Sequence, residues 1–158
     1  MTRREHHYQV TNTWTGNLGA GTGDYRAYSR NHEFAIPGKS EPLPGSSDPA
    51  FRGDPARYTP EELLLAALSA CHMLSYLHLC ADAGIVVTEY TDAAGGTMSE
   101  NDDGSGEFTR VILHPRVVIT DPTRIADAVA LHRRAHQLCF IARSVNFPVE
   151  NEPVVGVA

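Results

Sequence analysis

The chain has 158 residues, of which 42% are hydrophobic and 20% charged, with a formal net charge of -6. That is one ordinary domain's worth of chain, 1–158, with enough apolar content to exclude intrinsic disorder. The acidic balance and the scattered basic residues, among which Lys39 is the only lysine, argue against a nucleic-acid-binding protein.

The first fifteen residues are polar, with Arg3, Arg4, Glu5, His6 and His7, and lack the apolar run of a secretory signal. Leu63–Ala81 is mostly apolar, but it carries Ser69, His72, Ser75 and His78, and Glu61, Glu62 and Asp82 flank it. Two histidines in a spanning helix would be costly, so a core helix is expected rather than a membrane anchor. Three cysteines without a signal peptide fit a reducing compartment, and the expected location is the cytoplasm.

Residues 7–15 alternate as a strand, with Tyr8, Val10, Asn12 and Trp14 on one face and Gln9, Thr11 and Thr13 on the other. Gly16–Asp24, with four glycines, reads as a loop, and Tyr25–Arg30 and His32–Ile36 as further strands. The proline- and glycine-rich stretch Pro37–Arg57 is longer than a plain connector, as functional loops often are. Thr59 can cap a helix whose first position is Pro60 and whose capping box is completed by Glu62. This helix is expected to run to about Ala83 and to stop at Gly84. Ile85–Tyr90 is strand-like. Thr97–Glu100 and Glu107–Thr120 suggest a hairpin around Asn101–Gly106, with Pro115 at a bulge or edge. Asp121-Pro122 opens a second helix, in which Ile125, Val129, Leu131 and Leu138 lead to Cys139, and Phe147–Val155 is a final extended piece. The order of strands, helix, strands, helix is that of an α+β fold.

Cys71 falls in the middle of the first helix and Cys139 near the end of the second, so any pairing between them is tertiary. Cys80, nine residues after Cys71, lies on the opposite helical face at about 100° per residue and reads as a small core residue. For Cys71 and Cys139 the local sequence is compatible both with inert core thiols and with reactive ones. His132, His136 and Cys139 share one helical face within about 60° and could ligate zinc. The simpler reading is an amphipathic helix whose histidines face an interface or solvent. His78 is too far along the axis to activate Cys71. His72 is turned away from it by about 100°, although it could approach a partner chain. Neither a G-x-S-x-G elbow nor a dinucleotide fingerprint is present.

Two segments resemble a known family. Thr59-Pro60-Glu61-Glu62-Leu63-Leu64 followed by Ala67-Leu68-Ser69-Ala70-Cys71, together with Ala135-His136-Gln137-Leu138-Cys139, is similar to the OsmC/Ohr family of thiol peroxidases. The resemblance implies an α+β, OsmC-like two-layer fold, with antiparallel sheets packed around a long central helix in an intertwined homodimer. It implies a peroxidatic cysteine at Cys71, a resolving cysteine at Cys139, organic hydroperoxides as substrates and no cofactor. A dithiol reductant, lipoyl-type or thioredoxin-like, would complete the cycle. Family catalysis also uses a glutamate, matching Glu61, and an arginine of an N-terminal loop. Gly16–Asp24 contains no arginine, so the candidates are Arg26, just after it, and Arg52 in Phe51-Arg52-Gly53-Asp54, with Arg30 further on. Ten residues of helix separate Glu61 from Cys71 by about 15 Å, so a shared site would need Glu61 from the partner subunit. The alternative to a peroxidase is a non-enzymatic redox-sensing or small-ligand-binding protein on the same fold.

Overall fold

The helix signal at Thr59 is realised in full in the computed structural model, which describes residues 4–157; the first three residues of the polar amino-terminal stretch lie outside these. The Thr59 backbone N–H donates to Glu62 Oε2 at 2.9 Å and the Glu62 N–H donates to Thr59 Oγ1 at 3.2 Å, a reciprocal capping box. Helix α1 runs from Pro60 to Asp82. Gly84 ends it at φ +68°, a conformation that favours glycine, and the Ile85 N–H returns to the Cys80 carbonyl at 2.8 Å. Among the described residues α1 is the one helix long and apolar enough to cross a membrane by length and composition.

The chain divides into two units, 1–63 and 64–158. The first holds an antiparallel sheet of β1 (Thr11–Trp14), β2 (His32–Ala35) and β3 (Leu43–Gly45), in that order. Two expectations are corrected here. Tyr25–Arg30 forms turns rather than a strand, because Arg30 satisfies its carbonyls in place of a ladder: Nη1 donates to Tyr28 O at 2.7 Å and Nη2 to Tyr25 O at 2.8 Å. The guanidinium also lies 4.2 Å from the centroid of each of those two rings. The Pro37–Arg57 stretch, read as a long functional loop, contains regular structure: β3 and a 3-10 turn, Pro49–Phe51, capped by Asp48.

In the second unit the long segment Glu107–Thr120 is two strands, not one. Strand β6 (Gly106–Leu113) ends at His114, and Pro115 becomes the first residue of β7 (Pro115–Ile119), a position that needs no ladder N–H. The two strands belong to different three-stranded sheets. One has the order β4 (Val87–Asp92), β7, β9 (Val154–Val157); the other β5 (Gly95–Glu100), β6, β8 (Val149–Asn151). The final extended piece is likewise split, into β8 and β9, and both pair parallel to their neighbours. The two sheets of this unit, expected to be antiparallel, are therefore mixed, whereas the sheet of the first unit is antiparallel as expected. Crossing from β6 to β7 and from β8 to β9 keeps direction, so the same pairing sense recurs in both sheets.

Asp121 caps a 3-10 turn, Pro122–Arg124, which leads into helix α2 (Ile125–Leu138). The buried residues of α1 are Leu68, His72, Tyr76 and Cys80, one stripe at a spacing of four. Leu68 packs with Val111 and Leu113 of β6, whereas Tyr76 and Cys80 pack with Val117 and Ile119 of β7 and with Ala128 and Ala135 of α2. The α1 stripe thus spans two apolar clusters, with His72 between them.

Candidate functional site

Cys71 and Cys139 meet in the second unit. All three cysteines are free thiols. Cys71 is half-buried on α1, and Cys139, at the carboxyl-terminal cap of α2, is 1% exposed. Burial pushes the Cys139 thiol up to about 11, and the adjoining Cys71 adds to the rise through hydrogen-bonding contact and charge. The Ala142 N–H, donating to Cys139 Sγ at 3.4 Å, opposes it. Cys139 is thus held as a neutral thiol beside a more accessible partner. Cys80 takes no part: it lies in the core against Tyr76, and burial raises its thiol as well.

Glu61, Arg26 and Arg52 lie in the first unit. Glu61, in the first turn of α1, is half-buried, and its Oε2 is buried with no hydrogen-bond partner among the described residues. Arg26 is exposed, its backbone N–H held by Asp24 Oδ1 at 2.8 Å. Arg52 is exposed and follows the Pro49–Phe51 turn at φ +67°.

The histidines are placed differently from expectation. His132 and His72 do not face solvent or a partner; both are 1% exposed. His72 Nε2 lies 3.0 Å from His132 Nδ1, and the two rings are within 12° of parallel. Tyr76, one turn beyond His72, stacks on the His132 ring at 3.8 Å between centroids and 14° between planes. One ring donates and the other accepts, so His72 Nδ1 and His132 Nε2 are left without partners among the described residues. Burial lowers His72 to about 4, helped by His136 and opposed by Asp92, and lowers His132 to about 3, helped by His72. Both rings are therefore neutral at neutral pH. Among the described residues no group of three histidine, cysteine or acidic side chains could hold a metal ion; of the candidate zinc set, His132 is turned toward His72. His78 is exposed and faces Asp82 at 3.4 Å.

Sequence reasoning missed the His72–His132 pair, although a signal was present: His72 shares the four-residue spacing of Leu68, Tyr76 and Cys80, and His132 falls in line with the buried Ala128, Ala135 and Cys139. It also missed Asp92, which accepts from Ser69 Oγ at 2.5 Å and from the His114 N–H at 2.7 Å.

Comparison with known proteins identifies the family. Residues 53–152 match a family model described as OsmC-like protein. An OsmC-like protein of unknown function from Vibrio cholerae is 32% identical, with a TM-score of 0.84 over 95% of this chain and 100% of that one. An organic hydroperoxide resistance protein from Elizabethkingia anophelis, solved with crystallant-derived thiocyanate, is similar over 99% of this chain and 100% of its own at 18% identity and a TM-score of 0.69. An organic hydroperoxide resistance protein from Legionella pneumophila matches over 98% of this chain and 99% of its own at 15% identity and a TM-score of 0.71. At such identities the last two speak for the fold alone. No match was found among curated proteins. The family model covers most of the chain and the Vibrio cholerae structure nearly all of it, and both cysteines fall within the matched residues: this chain belongs to the OsmC-like family.

Proposed function

We propose that the protein is a cysteine-based peroxidase that reduces organic hydroperoxides. The observation that carries this reading is the unequal pair of free thiols, Cys71 accessible and Cys139 buried and held protonated beside it. The Cys71 thiolate attacks the distal oxygen of the hydroperoxide, the O–O bond breaks, and the alkoxide leaves with a proton as the alcohol. Cys71 becomes a sulfenic acid. Cys139 then attacks the Cys71 sulfur, water departs, and a disulfide remains for an external dithiol, lipoyl-type or thioredoxin-like, to reduce.

Glu61 and an arginine, Arg26 or Arg52, are assigned to polarising the peroxide. The unpartnered buried oxygen of Glu61 supports this role, because a guanidinium would satisfy it. The reading includes a homodimer that completes each site and a cytoplasmic location, and it needs no cofactor.

The test is mass spectrometry of the reduced protein after one equivalent of cumene hydroperoxide, with peptide mapping. A fast loss of two hydrogens mapped to Cys71–Cys139 is expected. Slow oxidation spread over all three cysteines, or none, would overturn the peroxidase and leave a redox-sensing or ligand-binding protein.

A further inference from the structure

Helix α1 carries Cys71 and the carboxyl-terminal cap of α2 is Cys139, and beside the thiols the two helices share a polar contact that the proposed chemistry does not use. His72 is the residue after Cys71. His132 lies seven residues before Cys139, about 10 Å along α2. Their 3.0 Å hydrogen bond joins the two helices beside an apolar core, and the Tyr76 ring of α1 stacks on the His132 ring. Such a pair is a poor device for stability alone. It buries two imidazoles for one mutual hydrogen bond and leaves two ring nitrogens unpartnered among the described residues, where apolar side chains of similar size would incur no such desolvation. What a directional hydrogen bond supplies, and apolar packing does not, is a fixed register between the elements it joins.

Register matters at this place because of what Cys139 must do. It sits where α2 ends, at φ -67° and ψ 108°, with its N–H turned to the His136 carbonyl at 3.3 Å. The next residues fold back over it: the Ala142 N–H contacts its sulfur, and the Arg143 N–H its carbonyl at 3.1 Å. Two free thiols in contact must close to about 2.05 Å between sulfurs to form a disulfide, with a narrow range of dihedral angle. The terminal turn of α2 has to supply that movement while the body of α2 stays in place on α1. His132 is in the body and Cys139 in the turn.

We propose that the His72–His132 hydrogen bond is a clasp that positions Cys139 for the resolving step: His72 and His132 are positioning residues that keep the two sulfurs in register while Cys71 passes from thiol to sulfenic acid to disulfide. The proposal rests on the peroxidase reading for the identity of the oxidant, a hydroperoxide, but not for the existence of the thiol pair. In the step that it governs, the Cys139 sulfur bonds to the Cys71 sulfur, the S–O bond of the sulfenic acid breaks, and the hydroxyl leaves as water with the Cys139 proton. Cys71 is then spared further oxidation to the sulfinic acid.

The test compares near-isosteric substitutions that differ in hydrogen bonding. His72→Met removes the clasp, and His72→Gln places a donor and acceptor near the position of Nε2. In His72→Met the reaction of Cys71 with cumene hydroperoxide, followed by dimedone trapping, should stay within about twofold of wild type. Disulfide formation should slow about tenfold as the effective concentration of the thiols falls, with Cys71 sulfinic acid accumulating. His72→Gln should restore disulfide formation. A second readout needs no peroxide: the Cys71–Cys139 reduction potential, by equilibration with glutathione buffers. The same tenfold fall is a rise of about 30 mV in His72→Met. Should His72→Met fail to fold, the corresponding pair at the other ring, His132→Leu against His132→Asn, is read in the same way. Equal behaviour of the apolar and polar variants, in rate and in potential, would overturn the clasp. Absence of any oxidation of wild-type Cys71 would overturn the peroxidase instead, and the potentials would still decide the clasp.

Discussion

The Ser69 hydroxyl donates to Asp92 Oδ2 at 2.5 Å, two residues before Cys71 on α1, while the other oxygen of the same carboxylate accepts from the His114 N–H at 2.7 Å. Asp92 is the last residue of β4, and His114 is the single residue between β6 and β7. One half-buried carboxylate therefore joins the thiol-bearing helix to the point where the chain leaves one sheet for the other. Pro115 gives up its own ladder donor there, so the junction depends on side-chain hydrogen bonding. Replacing Asp92 with Ala removes both bonds and leaves the His114 N–H unmet; the expected cost is about 2–3 kcal/mol in urea unfolding, against about 1 kcal/mol for Ser69→Ala. A loss below about 0.5 kcal/mol for Asp92→Ala would show that the junction is held by packing instead.

Most of what local chemistry determines is legible in the sequence. Thr59, Pro60 and Glu62 defined the start of α1, and Gly84 its end, because caps and left-handed stops act within a turn of helix. The helical wheel separated Cys71 from Cys80, and the core takes Cys80. What escaped were choices made by tertiary partners. Pro115 announced a break, but not that β6 and β7 would enter different sheets. The parallel pairing of β8 and β9 depends on strands far away in sequence. Tyr25–Arg30 had a strand's composition and lost the ladder to one guanidinium. His72 and His132 lay on apolar stripes, but a histidine does not declare from sequence that another will meet it.

Stability should fall steeply in mild acid. In the unfolded chain His72 and His132 take up protons near pH 6.5; in the folded chain burial delays this to about 4 and about 3. Between those limits the unfolded state binds more protons, so unfolding is favoured as pH drops. The effect begins below 6.5, stops growing for His72 near 4 and continues for His132 to about 3. Urea unfolding at pH 7 and pH 5 should differ by up to about 4 kcal/mol from this pair. The double variant His72→Gln, His132→Asn should lose much less over the same interval. An equal loss in both proteins would mean that other groups govern the acid limit.

Arg52 offers a way to separate a guanidinium's role from its structural cost. It is the one non-glycine residue at positive φ among those described, where a side chain carries a steric penalty. Arg52→Gly should stabilise the protein by about 0.5–1 kcal/mol, read as a higher urea midpoint. Against that background a fall in the rate of Cys71 oxidation would assign peroxide polarisation to Arg52, and an unchanged rate would remove Arg52 from the candidates. A destabilised Arg52→Gly would contradict the backbone argument itself.

The three cysteines should separate cleanly by substitution, since their surroundings differ. Cys71→Ser is expected to abolish the fast reaction with cumene hydroperoxide, because neither remaining thiol is accessible and both are pushed up by burial. Cys139→Ser should leave Cys71 able to react once, after which the sulfenic acid has no neighbouring thiol and proceeds to the sulfinic acid under excess peroxide. Dimedone should trap the first product and peptide mapping should find the second. Cys80→Ser should retain disulfide formation at the wild-type rate, although a hydroxyl in place of a buried thiol beside Tyr76 should lower stability by about 1–2 kcal/mol. A Cys80→Ser protein that folds yet loses peroxide reactivity as fully as Cys71→Ser would place the chemistry on the wrong face of α1, and the assignment of Cys71 and Cys139 as the working pair would not survive it.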